Sequence, residues 1–156
     1  GRLQRRRKRS PGYQDDPALG RWGLLSGRRM TEACRRLMAD FDVRPPEPEC
    51  GSAELSGGNQ QKLVLGREVQ RRPRLLLIGQ PTRGVDIGAV ALIHRELLGL
   101  RDQGTAILLV SADLDEIRTL SDRIVVMTAG RLSPPLAADQ ASETRLGLLM
   151  AGVAAA

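Results

Sequence analysis

The chain has 156 residues, of which 41% are hydrophobic and only 2% aromatic, and its formal net charge is +6 at pH 7. This length allows one aliphatic core of useful size, and the scarcity of aromatic rings argues against a protein that binds nucleic acid by stacking bases. Two cysteines and a single histidine are too few for a zinc site, so the sequence predicts no metal site; no apolar run approaches the roughly 20 residues of a membrane-spanning helix.

The positive charge is concentrated at the N-terminal end. Residues 1–10 hold six of the 24 basic side chains and no acidic one, so the remaining 18 basic residues balance the 18 acidic ones. We expect residues 1–23 to form a basic, disordered tail. A solvated terminus is the simpler interpretation of the basic run, and an arm that binds nucleic acid or an anionic membrane is the alternative.

The rest of the chain alternates between helical and extended patterns. Ala33, Leu37, Met38 and Phe41 recur at helical spacing and predict a helix over residues 31–41, which the prolines that follow bring to an end. The other predicted elements, in chain order, are a helix from 56 to about 72, a strand at 74–78, a helix at 88–102, a strand at 105–110, a short helix from 113 to about 120, a third strand at 123–128 with a turn at 129–130, and a helix at 143–150. Strands separated by helices of this length favour a parallel sheet in a layered α/β fold.

A glycine pair at the start of the second predicted helix is the clearest candidate for a binding site. Residues 55–62 read Leu-Ser-Gly-Gly-Asn-Gln-Gln-Lys. A helix N-terminus offers amide donors and a positive dipole end, two glycines let the backbone approach an anion, and Ser56 adds a hydroxyl at the same point. These features indicate a phosphate contact, and the alternative from the same residues is an ordinary serine-capped helix after a glycine turn.

Residues 55–62 resemble the signature sequence of ATP-binding cassette proteins, in the form found in sugar and nucleoside importers. Residues 81–89 are similar to that branch's segment joining the Walker B strand to the D-loop, and residues 121–124 and 147–152 are similar as well. The resemblance extends from about residue 24 to residue 153, with the motifs in the family's order. It implies a partial P-loop NTPase-like α/β fold, in which helices flank a parallel sheet.

Three positions depart from the pattern of an active cassette. The family's Walker B strand ends in Asp-Glu, where the aspartate organises Mg²⁺ and the glutamate polarises the attacking water; here Gly79 and Gln80 stand at those positions. Glycine offers no ligand and an amide accepts no proton, and loss of a general base typically costs about 10²- to 10⁴-fold in rate. The switch histidine after the next strand is replaced by Ala112. We therefore expect no intact catalytic residue.

A Walker A loop, Gly-x-x-x-x-Gly-Lys-Ser/Thr, is also missing, because the chain's two lysines, Lys8 and Lys62, stand in other settings. By resemblance, residues 24–54 are the end of the helical subdomain and a linker, and residues 55–156 are the signature helix and the C-terminal part of the ATPase domain. Residues 1–23 have no such resemblance. The sequence thus predicts no autonomous ATPase activity, although the family as a whole hydrolyses ATP.

The resemblance assigns the surviving motif to a neighbouring cassette. In this family two cassettes pair head to tail, and each ATP lies between the Walker motifs of one and the signature of the other. The residues implied to contact the partner's nucleotide are Leu55, Ser56, Gly57, Gly58, Asn59 and Gln60 of the signature and Asp86 of the D-loop. ATP and Mg²⁺ are accordingly expected only in complex with a partner cassette.

The implied function is that of part of the ATP-binding subunit of a sugar or nucleoside importer, in its degenerate second nucleotide-binding domain. The expected partners are another cassette, membrane permease subunits and, indirectly, a solute-binding protein, with no nucleic acid. The expected location is peripheral, at the cytoplasmic face of the cell membrane. Two alternatives stay open: a non-functional, truncated remnant of such an ATPase, and a nucleic-acid-associated relative that uses the basic arm.

Overall fold

The computed structural model describes residues 19–21 and 24–153. The basic run at residues 1–10 therefore lies outside the described residues. The chain divides into two compact units: the first contains the chain up to Pro73 together with Thr82–Glu96, and the second contains Arg74–Pro81 together with the chain from Leu97 onward. No helix of the described part is long and apolar enough to cross a bilayer.

The described residues form five α-helices and eight short strands. The helices are α1 (Gly27–Asp40), α2 (Gly57–Gln70), α3 (Ile87–Asp102), α4 (Leu114–Leu120) and α5 (Glu143–Met150). The strands are β1 (Gly20–Arg21), β2 (Leu24–Leu25), β3 (Leu75–Gly79), β4 (Ala106–Val110), β5 (Arg123–Ile124), β6 (Met127–Thr128), β7 (Arg131–Leu132) and β8 (Leu136–Ala137). Short 3₁₀ helices lie at Ser52–Glu54 and Ala138–Gln140.

The first unit begins with the antiparallel pair β1–β2, in which Arg21 is opposite Leu24. This pairing joins residues on either side of the boundary predicted after residue 23, and the predicted tail at residues 1–18 lies outside the described residues. Helix α1 also begins earlier than predicted. Ser26 caps it, because its side chain accepts a hydrogen bond from the Arg29 N–H at 3.4 Å and so satisfies one of the unpaired amides of the first turn.

Helices α1 and α2 belong to the first unit and share an apolar core. Its buried members are Leu37, Met38, Phe41, Val43 and Leu55. Gly66 of α2 permits the close approach of the two helices, because a Cβ atom there would lie 2.6 Å from Phe41 Cδ2 and 2.8 Å from Leu37 Cδ1. The predicted helical face of residues 31–41 is therefore the face that packs, and a glycine on the partner helix sets the spacing.

The second unit contains the parallel pair β3–β4, in which Leu75 is opposite Ala106 and Gly79 is opposite Val110. Both strands were predicted to within one residue at each end. One face of the pair is apolar and exposed: the exposed fractions are 58% for Leu75, 67% for Leu77, 58% for Leu108 and 61% for Val110. Parallel sheets are usually covered on both faces, so this bare face is a distinctive feature of the unit.

The prediction of one continuous third strand at 123–128 is wrong. The segment is divided into β5 and β6, which pair antiparallel with β8 and β7 respectively. Between them, Val126 exchanges hydrogen bonds with Ser133 instead: the Ser133 N–H donates to the Val126 carbonyl at 2.8 Å, and the Val126 N–H donates to Ser133 Oγ at 3.0 Å. A serine side chain thus takes the place of a backbone partner and interrupts the ladder.

The turn predicted at Ala129 and Gly130 is confirmed. It joins β6 to β7, and both residues have positive φ, +46° and +73° respectively. In a two-residue hairpin loop, positive φ at both loop residues gives the backbone a twist that matches the twist of the paired strands. The unit's second core lies beside this hairpin and is formed by Ile124, Val126, Leu136, Ala141 and Leu146.

Candidate functional site

Ser56 stands at the N-cap position of α2, as the sequence predicted. Its Oγ accepts a hydrogen bond from the Asn59 N–H at 3.4 Å. Ser56 and the neighbouring Gly57 are exposed, whereas Leu55 immediately before them is buried in the α1–α2 core. The buried leucine anchors the chain, and the serine and first glycine are presented to solvent at the positive end of a 14-residue helix.

The two glycines differ in what surrounds them. A Cβ atom at Gly57 would meet no atom within 4 Å, whereas one at Gly58 would lie 3.5 Å from Val85 Cα, an ordinary van der Waals distance. Glycine in a helix costs roughly 1 kcal/mol relative to alanine. No atom of the described chain would clash with a side chain at residue 57, so packing among the described residues does not require a glycine there. The space that a Cβ atom of residue 57 would occupy is open to a ligand.

The side chain of Asn59 faces the linker that follows α1. Asn59 Oδ1 accepts a hydrogen bond from the Arg44 N–H at 3.0 Å, and Nδ2 donates to the Arg44 carbonyl at 2.7 Å. Nδ2 also donates to Ser56 Oγ at 3.0 Å. One amide therefore binds both backbone groups of Arg44 and the hydroxyl of the candidate phosphate-binding serine.

Gln60 and Lys62 also direct their side chains to backbone oxygens of the first unit. Gln60 Nε2 donates to the Leu55 carbonyl at 2.9 Å, and the buried Lys62 Nζ donates to the Asp42 carbonyl at 3.1 Å. Of the residues that the sequence nominated, Asn59 and Gln60 are therefore engaged inside the unit, and Ser56 and Gly57 are the ones presented outward. The contact of Lys62 could not be predicted from local sequence, because its partner Asp42 lies 20 residues earlier.

Asp86, the nominated D-loop residue, caps α3. Its Oδ1 accepts a hydrogen bond from the Ala89 N–H at 2.9 Å. This bond, and to a lesser degree the positive charge of Lys62, holds the pKa of Asp86 below its ordinary value. Asp86 belongs to the same unit as the signature, and a Cβ atom at Gly58 would lie 3.5 Å from Val85 Cα, so these two nominated segments are brought together.

Gly79, Gln80 and Ala112 belong to the second unit. Gly79 and Gln80 follow one another at the carboxyl end of β3, where the Gln80 N–H donates to the Val110 carbonyl at 2.7 Å. Gln80 has a φ of +50°, an unusual value for a residue with a side chain. A Cβ atom at Gly79 would meet no atom within 4 Å, so the absence of a carboxylate there is not imposed by crowding.

Ala112 is exposed just after β4, and the adjacent Asp113 caps α4. Asp113 Oδ1 accepts hydrogen bonds from the N–H groups of Asp115 and Glu116, both at 3.0 Å. Asp113 is thus the N-cap of α4, and Asp115 and Glu116 lie in the first turn, where the helix dipole favours acidic side chains. Among the described residues, no group of three or more His, Cys, Asp or Glu side chains is arranged to hold a metal.

The sequence is similar to the sequences of nucleoside-import proteins. The Guanosine import ATP-binding protein NupO of Bacillus subtilis is 46% identical over 130 residues, which are 83% of this chain and 26% of that protein. The Nucleoside import ATP-binding protein NupA of Lactococcus lactis is 41% identical over 136 residues, 87% of this chain and 27% of that protein. The chain spans about a quarter of the length of these relatives. No family model matches the chain.

Solved structures show the same fold. The dimeric, post-hydrolysis structure of the ATP-binding cassette MJ0796 with ADP and Pi superposes with a TM-score of 0.64 at 20% identity, over 76% of this chain and 51% of that one. The MJ1267 cassette gives a TM-score of 0.63 at 19% identity, over 88% of this chain and 54% of that one. The chain is therefore a partial ATP-binding cassette with a P-loop NTPase-like α/β fold, and its homologues include ATP-binding proteins of nucleoside importers and of sugar importers such as the Arabinose import ATP-binding protein AraG of Pseudomonas savastanoi.

Proposed function

We propose that this chain supplies the signature motif to an ATP molecule held by a partner cassette, within the ATP-binding subunit of a nucleoside or sugar importer. The observation that carries the proposal is the exposure of Ser56 and Gly57 at the N-terminus of α2, with open space above Gly57. A helix N-terminus favours an anion, and a glycine without a neighbour lets a phosphate approach the backbone.

The chain's own nucleotide site is degenerate in this proposal. Gly79 and Gln80 stand where a Walker B strand carries its two carboxylates, and Ala112 stands where the switch histidine is expected. The signature motif, which would contact the nucleotide of a partner cassette, is retained. The Walker B carboxylates and the switch histidine, which would act on the chain's own nucleotide, are replaced. This asymmetry is what we expect of the second cassette in a tandem subunit.

The proposed partners follow from the proposed role. They are another cassette, which provides the Walker motifs together with ATP and Mg²⁺, and membrane permease subunits that hold the pair at the cytoplasmic face of the membrane. A solute-binding protein takes part indirectly. A nucleoside or a sugar as the transported solute is supported by the relatives, which include guanosine, nucleoside and arabinose import proteins.

Substitution of the capping serine tests the proposal. In a reconstituted cassette pair that contains this sequence, Ser56→Arg places a large cation where the phosphate approaches, and we expect ATPase activity to fall by on the order of 10²-fold, the usual cost of losing a donor to a developing charge. Ser52→Arg is the matched control, since Ser52 is also exposed but precedes the motif. Unchanged activity in Ser56→Arg would contradict the complementing role.

A further inference from the structure

The orientation of the Asn59 amide is determined by its partners. The Arg44 N–H can only donate and the Arg44 carbonyl can only accept, so the atom near the N–H must be Oδ1 and the atom near the carbonyl must be Nδ2. Nδ2 carries two hydrogens. One is directed to the Arg44 carbonyl and the other is left for Ser56 Oγ, 3.0 Å away.

This arrangement determines how Ser56 can bond. A serine hydroxyl has one hydrogen to donate and two lone pairs that accept. Ser56 Oγ accepts from Asn59 Nδ2 and, at a longer 3.4 Å, from the Asn59 N–H, so both lone pairs are engaged. Within the described part of the chain, the hydroxyl hydrogen of Ser56 has no acceptor, so it is available to donate to a group outside that part.

We propose that Asn59 is a positioning residue that makes the Ser56 hydroxyl an obligate hydrogen-bond donor toward the partner's phosphate. The inference rests on the proposed function of Ser56, and it assigns Asn59 a role through Ser56 instead of a contact of its own with the nucleotide. The oxygen atoms of a phosphate only accept hydrogen bonds. A serine hydroxyl that is already oriented as a donor therefore does not have to rotate when the phosphate binds.

Asn59→Asp reverses the polarity with little change of shape. The carboxylate still accepts from the Arg44 N–H, but it cannot donate to Ser56, and the Ser56 hydrogen turns toward the carboxylate. The donor to phosphate is then lost, although Ser56 itself is intact. Gln70→Glu is the matched control, because it makes the same amide-to-acid change on the same helix at a residue that bonds Asp40 and has no bond to Ser56.

The test is a double-mutant cycle in the reconstituted cassette pair, in which kcat and KM for ATP are measured for Ser56→Ala, Asn59→Asp and the double variant. We expect each single variant to lower kcat by on the order of 10²-fold and the double variant to lie within about twofold of Ser56→Ala. Gln70→Glu is expected to leave kcat unchanged. Thermal unfolding of each protein shows whether it is folded, and Asn59→Ala replaces Asn59→Asp in the cycle if the latter is not.

Two results would overturn the inference, and they are distinguishable. If the losses in the double variant multiply, Asn59 acts independently of Ser56 while the proposed function of Ser56 stands. If Ser56→Ala and Ser56→Arg both leave kcat unchanged, the proposed function fails and the role of Asn59 fails with it. The side-chain amide signals of Asn59 in an NMR spectrum give a readout independent of ATP, because Ser56→Ala should shift them if the bond from Nδ2 is present.

Discussion

Lys62 Nζ lies 3.1 Å from the carbonyl oxygen of Asp42, so the last residue of the signature holds the turn at which α1 ends. Asp42 has a φ of +46°, and its carboxylate lies 3.8 Å from the same ammonium group. The side chain of Lys62 is buried, with 9% exposed. Two residues of the signature, Asn59 and Lys62, therefore hold the segment that connects α1 to the N-terminal end of α2.

Lys62→Met is expected to destabilise the chain by about 2 kcal/mol, because it removes a charged donor from a backbone carbonyl while keeping the apolar length of the side chain. Asp42→Asn is the control. It removes the ion pair, leaves the carbonyl in place and tolerates positive φ, so we expect a change within about 0.5 kcal/mol. Urea denaturation measures both, and equal losses in the two variants would show that the ion pair is the important contact.

Gly66→Ala is expected to destabilise the chain by about 1–3 kcal/mol, because the new methyl group overlaps Phe41 and Leu37 in the α1–α2 core. Gly99→Ala in α3 is the matched control, since a Cβ atom there meets nothing within 4 Å. That control is expected to stabilise by up to about 1 kcal/mol through helix propensity. Thermal unfolding of both variants distinguishes crowding from propensity; a stabilised Gly66→Ala would contradict the observed close approach.

Ala129→Asn is expected to stabilise the β6–β7 hairpin by about 1 kcal/mol. Ala129 has a φ of +46°, where a Cβ group is disfavoured and asparagine is better tolerated, and Gly130 already fits the second left-handed position. The free energy of unfolding from urea titration checks the gain. Gly130→Ala is the reciprocal variant and should destabilise, because its φ of +73° then carries a side chain.

The lowered pKa of Asp86 predicts a pH-dependent contribution to stability. Because the folded-state pKa lies below the ordinary value of about 4, the cap on α3 contributes above that pH and is lost as the pH falls through the folded pKa. Asp86→Asn keeps a capping side chain without a charge, so the stability difference between the two proteins should shrink as the medium becomes acidic. An NMR titration of the Asp86 carboxyl, with a midpoint at or above the ordinary value, would contradict the assignment.

The chain alone is expected not to bind ATP with micromolar affinity. A helix N-terminus contributes roughly 0.3–2 kcal/mol toward an anion, whereas a micromolar dissociation constant requires about 8 kcal/mol. Isothermal titration with Mg-ATP should therefore give no measurable saturation. Saturation in the micromolar range would mean that this chain contains nucleotide contacts beyond the signature.

Most helices and strands could be predicted from signals within a few residues of each element. The start of α2 follows from Ser56 and the start of α4 from Asp113, because a capping side chain acts on amides two or three residues away. The break in the predicted third strand did not follow, since it depends on the contact between Val126 and Ser133. The hydrogen bonds between Asn59 and Arg44 did not follow from the sequence for the same reason, because Arg44 lies 15 residues earlier.

The bare apolar face of β3 and β4 affects how the chain behaves in solution. Leu75, Leu77, Leu108 and Val110 stand side by side on it, and a second molecule that laid the same face against them would remove all four from water. Self-association of this kind couples to folding by mass action. If the chain associates through this face, its free energy of unfolding depends on protein concentration, and a melting temperature then has a defined meaning only at a stated concentration.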